Sequence, residues 1–244
     1  MSKYEFNPDS CVFIGDCKKY NTPECKDPCW RNREFQFLLN NSNLPEKHKK
    51  DTALIPMKED LDVFEYLDYV RENIVEFVQQ GYNLIIMGSP GNGKTVWSTK
   101  LIRRYIMEVS INNGFRQRAL FVNLPNFITD MRHSISNHDD NFDQLRESMY
   151  DIDLLVLDDL GAVSLKNDFI HDEIYSIINY RIDNELCNIY TTNLSIEELE
   201  HNLSQRLSGR IIGSSEIVEI KNKMDLRKTE SKSTFSFENF VKDR

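Results

Sequence analysis

The 244-residue sequence lacks any apolar run near the roughly 20 residues that a membrane-spanning helix needs, so no membrane partner is expected. Its opening, Met1-Ser2-Lys3-Tyr4-Glu5, lacks the apolar core of a secretion signal, and a cytoplasmic location is the expectation. Positive charge is not in excess either: the net charge is −9. A surface of that sign does not attract nucleic acid as a whole, so any contact with DNA must use a local basic patch. Residues 1 to about 31 lack the large apolar side chains that would pack a core by themselves. The same stretch holds four of the five cysteines, Cys11, Cys17, Cys25 and Cys29, in the spacing C-x5-C-x7-C-x3-C, with Cys187 alone elsewhere. In a reducing compartment that cluster points to metal rather than disulfides, and four thiolates around Zn²⁺ would replace the missing core. The paired C-x2-C knuckles of a strong zinc signal are absent, which leaves an iron–sulfur cluster or unligated thiols as alternatives.

What is present centres on Gly88-Ser89-Pro90-Gly91-Asn92-Gly93-Lys94-Thr95, which fits the phosphate-loop pattern G-x-x-x-x-G-K-[S/T] at every fixed position. An apolar run of strand length, Asn83 to Met87, precedes it, and Val96 to Val109 reads as a helix after it. In that context the glycines let backbone N–H groups curl around a polyphosphate at a helix N-terminus, while Lys94 neutralises β/γ oxygens. Thr95 is then the hydroxyl ligand expected for Mg²⁺. Some sixty residues on, Leu154-Leu155-Val156-Leu157-Asp158-Asp159 reads as an apolar strand ending in two carboxylates. Asp158 is expected to hold the Mg²⁺ water shell and Asp159 to polarise the attacking water.

Strand and helix patterns alternate around these motifs. Ala119 to Val122 reads as a strand, Leu124 to Ser136 as a helix, His138 to Gln144 as a polar interval and Phe169 to Glu185 as a long helix. Asn188 to Asn193 and Glu216 to Ile220 read as further strands. This order predicts an α/β fold with a parallel sheet covered on both faces and a ligand at the C-terminal ends of the strands, where Asn193 would lie beside Asp159. Upstream, Arg31 to Asn40 reads as a short helix, and Val63, Leu67, Val70, Ile74 and Phe77 carry the period of an amphipathic helix capped by Gly81. Domain boundaries are placed accordingly: residues 1–55 an N-terminal zinc-binding module, 56–228 the nucleotide-binding domain and 229–244 a flexible tail. Two basic groups are candidate contacts for single-stranded DNA: Lys47, Lys49 and Lys50, or Lys100, Arg103 and Arg104. The first reads rather more readily as a solvated loop, and the second equally as a solvated helix face.

The segments GSPGNGKT, LLVLDDLGA, INYRIDNELCNIYTTN and QRLSGRI, followed by DLR, occur in that order with compatible spacing. Together they resemble the AAA+ ATPases of the DnaC/DnaI helicase-loader group and its transposon relative IstB, over roughly residues 60 to 230. The resemblance implies an AAA+ P-loop fold with strand order 5-1-4-3-2 and no separate lid domain, and ATP hydrolysis as the chemistry. It further implies Asn193 as sensor 1, Arg227 as sensor 2 and Arg210 as an arginine finger offered to a neighbouring subunit, hence self-association; Arg206 competes for the finger role. Asp159 departs from the Glu common across AAA+ proteins and is one methylene shorter. The cysteine-bearing N-terminus resembles compact loaders of phages and mobile elements, in which it would contact the replicative helicase. The expected function is an ATP-dependent switch that places a hexameric helicase on single-stranded DNA, with a transposase helper ATPase as the alternative. A small-molecule kinase also uses a phosphate loop, but the sequence has no arginine-rich lid.

Overall fold

The structure is a computed structural model that describes residues 11–15, 17–20, 22–25, 29–50, 52–110, 115–134, 140–163, 168–223 and 225. Five strands form one parallel sheet: β1 (Asn83–Gly88), β2 (Ala119–Asn123), β3 (Leu154–Asp158), β4 (Cys187–Thr192) and β5 (Ser215–Ile220). Their order across the sheet is β2-β3-β4-β1-β5, the arrangement expected from the resemblance read from the other edge. Successive side chains of a strand leave opposite faces, so a strand covered on both sides must be apolar throughout. β1 shows this directly. Leu84 and Ile86 enter one core while Ile85 and Met87 enter the other, and all four are buried.

The first core lies under α1 (Trp30–Asn40), α2 (Leu61–Glu72), α3 (Ile74–Gln79) and α4 (Lys94–Val109). The second lies under α5 (Leu124–Ser134), α6 (Asp140–Asp151), α7 (Asp168–Asp183), α8 (Ile196–Asn202) and α9 (Gln205–Gly213). The single amphipathic helix expected over 63–77 is divided at Asn73, whose backbone leaves helical values and whose amide still reaches Tyr69 O. Gly81 closes α3 as expected of a C-cap. At φ +66° it lets its own N–H reach Val78 O and the Tyr82 N–H reach Phe77 O, with the Tyr82 and Phe77 rings in contact. The interval read as polar around residues 138–144 becomes α6 from Asp140 onward. Only Phe142 and Met149 of that helix are buried, too sparse a stripe to announce it.

The described residues N-terminal to position 55 share a core with the nucleotide-binding domain. Phe13, Phe35, Leu38, Leu39 and Leu44 belong to the same buried cluster as Leu101, Ile102 and Ile106 of α4. The Arg31 guanidinium covers the Phe13 ring at 3.8 Å, and Phe13 meets Phe35 edge to face. The segment that is too poor in apolar residues to pack alone thus borrows a core from α4. Arg227 and the tail from 229 onward lie outside the described residues.

Candidate active site

The phosphate loop leaves β1 at Gly88 and enters α4 at Lys94. Gly88 sits at φ +144°, and a Cβ there would lie 2.3 Å from Ile220 O at the end of β5, so no other residue fits without moving the sheet edge. Behind the loop, the Asn92 side-chain amide donates to the same Ile220 O at 2.9 Å. Gly93, at φ +106°, turns the chain into α4. Lys94 is buried, and its ammonium donates to Gly88 O and Ser89 O, both at 2.8 Å, and to Asn92 Oδ1 at 3.2 Å. These are loop acceptors that a polyphosphate would replace.

Asp158 ends β3 beside Asn123, its register partner on β2. Its carboxylate, almost fully buried, accepts from Thr95 Oγ1 at 2.9 Å, Thr191 Oγ1 at 2.7 Å and Asn123 Nδ2 at 3.4 Å. Thr95 hydroxyl and Asp158 carboxylate, on the helix and strand that flank the loop, are the hard oxygen donors that Mg²⁺ takes. Asp159 follows in a left-handed backbone conformation, φ +61°, which Asp tolerates better than most residues. Its N–H donates to Thr191 Oγ1 at 3.0 Å and its carboxylate accepts from Asn193 Nδ2 at 3.3 Å. The pairing of Asn193 with Asp159 expected from the sequence is therefore present as a contact. Thr191 and Asn123, which tie the two carboxylates to β4 and β2, were given no role from the sequence. Thr191 lies within the quoted segment that ends at Asn193, and Asn123 had as its one signal a polar residue ending an apolar strand.

Pro90, Gly91, Gly93, Lys94, Thr95, Asp158, Asp159 and Asn193 line one cavity of about 770 Å³, and Gly88, Ser89 and Asn92 brace the loop behind it. Pro45, Lys47, His48 and the described residues from Thr52 to Met57 other than Pro56 also line it, with Leu54, Ile55 and Met57 giving an apolar stretch suited to a nucleobase. Arg210 and Arg206 do not line the cavity: Arg210 pairs with Asp183 at 2.9 Å, and Arg206 lies over the Tyr175 ring at 4.6 Å.

The basic groups proposed for DNA differ in setting. Lys47 lines the cavity, Lys49 pairs with Glu46, and Lys50 is exposed. The Arg103 guanidinium donates to Lys49 O, and Arg104 pairs with Glu72 and Glu108. Lys100, Arg103 and Arg104 line one small groove together with Arg71 and Glu72. At the N-terminus, the Cys11 thiol is raised above its usual pKa by burial, opposed by a backbone hydrogen bond at Phe13 and assisted by Cys29, Cys17 and Cys25 nearby. Among the described residues no three His, Cys, Asp or Glu side chains are grouped to hold a metal ion, so the expected zinc site has no support in the structure.

Burial pushes the Asp159 carboxyl above the ordinary carboxylate pKa. The Asp158 charge adds to the rise, while Lys94, Asn193 and Asn123 oppose it. A carboxyl raised by folding binds a proton more readily folded than unfolded, so its contribution to stability declines as pH climbs from the unfolded pKa through the folded one. Asp159→Asn removes that charge and keeps a residue content with positive φ. The nucleotide-free variant should therefore melt higher than the parent at pH 7, and the gain should vanish below the ordinary carboxylate pKa; thermal melts at the two pH values check the sign.

A phosphate loop between β1 and α4, paired carboxylates at and just after the end of β3, an asparagine just after β4 and the order β2-β3-β4-β1-β5 define an ATPase of the AAA+ P-loop class. Within that class the chain belongs to the IstB-like ATP binding proteins, whose family model matches residues 27–233. It is 24% identical over 134 residues to the replicative helicase loader DnaI of Bacillus subtilis (strain 168), a match that covers 53% of this chain and 39% of that protein. The crystal structure of the DnaC helicase loader is similar at a TM-score of 0.57 and 25% identity, covering 75% of this chain and 98% of that one. A crystal structure of DnaI shares the fold at a TM-score of 0.58 and 20% identity, covering 73% and 95% of the two chains. AMPPCP-bound DnaA from Aquifex aeolicus shares it at a TM-score of 0.53 and 22% identity, covering 76% and 56%.

Proposed function

We propose that this protein is an ATP-driven loader that binds a hexameric replicative helicase and delivers it to single-stranded DNA. The likeness to the DnaC loader, which spans nearly the whole of that chain, carries the reading. In it, Lys94 and the loop amides hold the phosphates, and Thr95 and Asp158 would hold Mg²⁺, which would neutralise charge on the transferring phosphate. Asp159, held by Asn193 and Thr191, orients the attacking water. Arg210 serves the site of a neighbouring chain, because it does not line its own. Residues 11–50 form the helicase-facing part, continuous in packing with α4.

The family description favours a second reading on the same scaffold, a transposase helper ATPase that remodels DNA. Affinity capture with hexameric replicative helicases, with and without ATP, separates the two. Retention that rises with ATP and is lost in Lys94→Ala is the expected outcome. A protein that hydrolyses ATP yet retains no helicase in either state contradicts the loader.

A further inference from the structure

The cavity lining has more than one origin. The motifs account for the phosphate loop, Asp158, Asp159 and Asn193; Lys47, His48, Leu54 and Ile55 come instead from the segment between Pro45 and Met57. That segment is secured mainly at its ends. Near the start, His48 is buried and the Arg103 guanidinium of α4 donates to Lys49 O. Just past the other end, the buried Asp60 carboxylate accepts from the backbone amides of Lys221 at 2.6 Å and Asn222 at 3.2 Å. Between these anchors Ala53, Ile55 and Pro56 are exposed, Ile55 to 79% although it lines the cavity.

Of the three lysines in the segment, Lys49 is committed to Asn40 and Glu46, and Lys50 lies outside the cavity. Lys47 lines the cavity, is exposed, and among the described residues has no hydrogen bond or ion pair. It shares the cavity with Lys94, Asp158 and Asp159, and Lys94 and Lys47 are the two ammonium groups among the lining residues. An ammonium on a flexible stem is a point charge with three donors and no demanding geometry, which suits a phosphate that arrives and leaves.

We propose that Lys47 is a second, same-chain cation for the terminal phosphate of the bound triphosphate, so that segment 45–57 closes on ATP and not on ADP; this rests on the ATPase reading above. The consequence is specificity for the triphosphate, delivered by a part of the chain that no phosphate-loop motif includes. It also gives the N-terminal region a direct readout of the nucleotide, because the chain enters this segment straight from α1 and Leu44, both packed in the α4 core.

Equilibrium competition against a fluorescent nucleotide tests it. Lys47→Ala should weaken a non-hydrolysable ATP analogue about tenfold, the scale of one charge-assisted hydrogen bond, and change ADP affinity less than about twofold. Lys47→Arg should restore most of the loss, and Lys58→Ala, exposed and outside the cavity, should change neither affinity. Amide hydrogen exchange over residues 45–57 should slow more with the analogue than with ADP in the parent, and that difference should disappear in Lys47→Ala. Equal effects of Lys47→Ala on both nucleotides, no effect on either, or identical exchange in the two nucleotide states overturns the proposal. Lys94→Ala measured alongside separates the failures. A parent that binds no nucleotide removes the ATPase reading itself, whereas a parent that binds, a Lys94→Ala that does not and an unaltered Lys47→Ala remove only the role of Lys47.

Discussion

Arg210→Ala should leave nucleotide binding nearly intact and lower ATP hydrolysis by about 10³-fold or more under conditions where chains assemble, since supplied arginine fingers are worth 10³ to 10⁵ in related phosphate-loop enzymes. Binding survives because Lys94, Thr95 and Asp158 belong to the same chain as the cavity they line, and Arg210 does not line it. The fold survives too. The ion pair of Arg210 with Asp183 joins two side chains that are 39% and 49% exposed, a setting in which such a pair contributes about 1 kcal/mol or less. Lys94→Ala should instead abolish binding, because the buried ammonium is the cation at the centre of the loop. A mixture of the two variants is decisive: the Arg210→Ala chain keeps a good pocket and the Lys94→Ala chain keeps a good finger. Recovered hydrolysis in the mixture, at concentrations where neither variant alone turns over, means that the arginine acts between chains. Parental turnover by Arg210→Ala alone, with helicase and single-stranded DNA present, overturns the assignment and directs the same test to Arg206.

The largest effect on stability is expected far from the nucleotide, at Arg181. This side chain, in the last turn of α7, is completely buried. Nε donates to Asn188 Oδ1 at 2.5 Å, Nη1 to Met149 O at 2.9 Å, Tyr150 O at 3.3 Å and Ile152 O at 2.8 Å, and Nη2 to Cys187 O at 2.7 Å. One guanidinium thus ties the end of α6, the end of α7 and the start of β4. Every acceptor is neutral, and burial pulls the Arg181 pKa down to about 10. Arg181→Met keeps much of the bulk but leaves buried carbonyls without donors, so a loss of about 3–5 kcal/mol is expected. In a domain of this size that lowers Tm by roughly 10 °C, which a thermal melt measures. A shift of a degree or two would mean that water or relaxation satisfies those carbonyls.

Arg181 also marks a limit of sequence reading. It stands inside INYRIDNELC, a segment that resembles a family motif, yet no pattern distinguishes an arginine on the solvent face of an amphipathic helix from one turned inward upon carbonyls. β1, β2 and β3 were legible because they are buried and almost continuously apolar, and the phosphate loop because its glycines are fixed by backbone geometry that no other residue meets. Asp158, Asp159 and Asn193 were legible because each follows an apolar strand at the edge where ligands bind. The rest depends on contacts distant in sequence. Thr191 matters for its two bonds to residues on β3 and just beyond it, and residues 45–57 matter for the cavity they face; neither distance is written in local periodicity.

The shared core under α4 bears on how the chain can be dissected. A cut at residue 55, where composition changes, would strip Phe35, Leu38, Leu39 and Leu44 from α4 and leave their counterparts Leu101, Ile102 and Ile106 facing water. Burial of each such side chain is worth about 1.5–3 kcal/mol. Four of them together approach the whole net stability of an ordinary domain, about 5–15 kcal/mol. The ATPase fragment so produced would be sticky and short-lived, and its poor solubility would be an artefact of the scissors. Residues 29–55 must travel with the nucleotide site in any fragment meant to report on it.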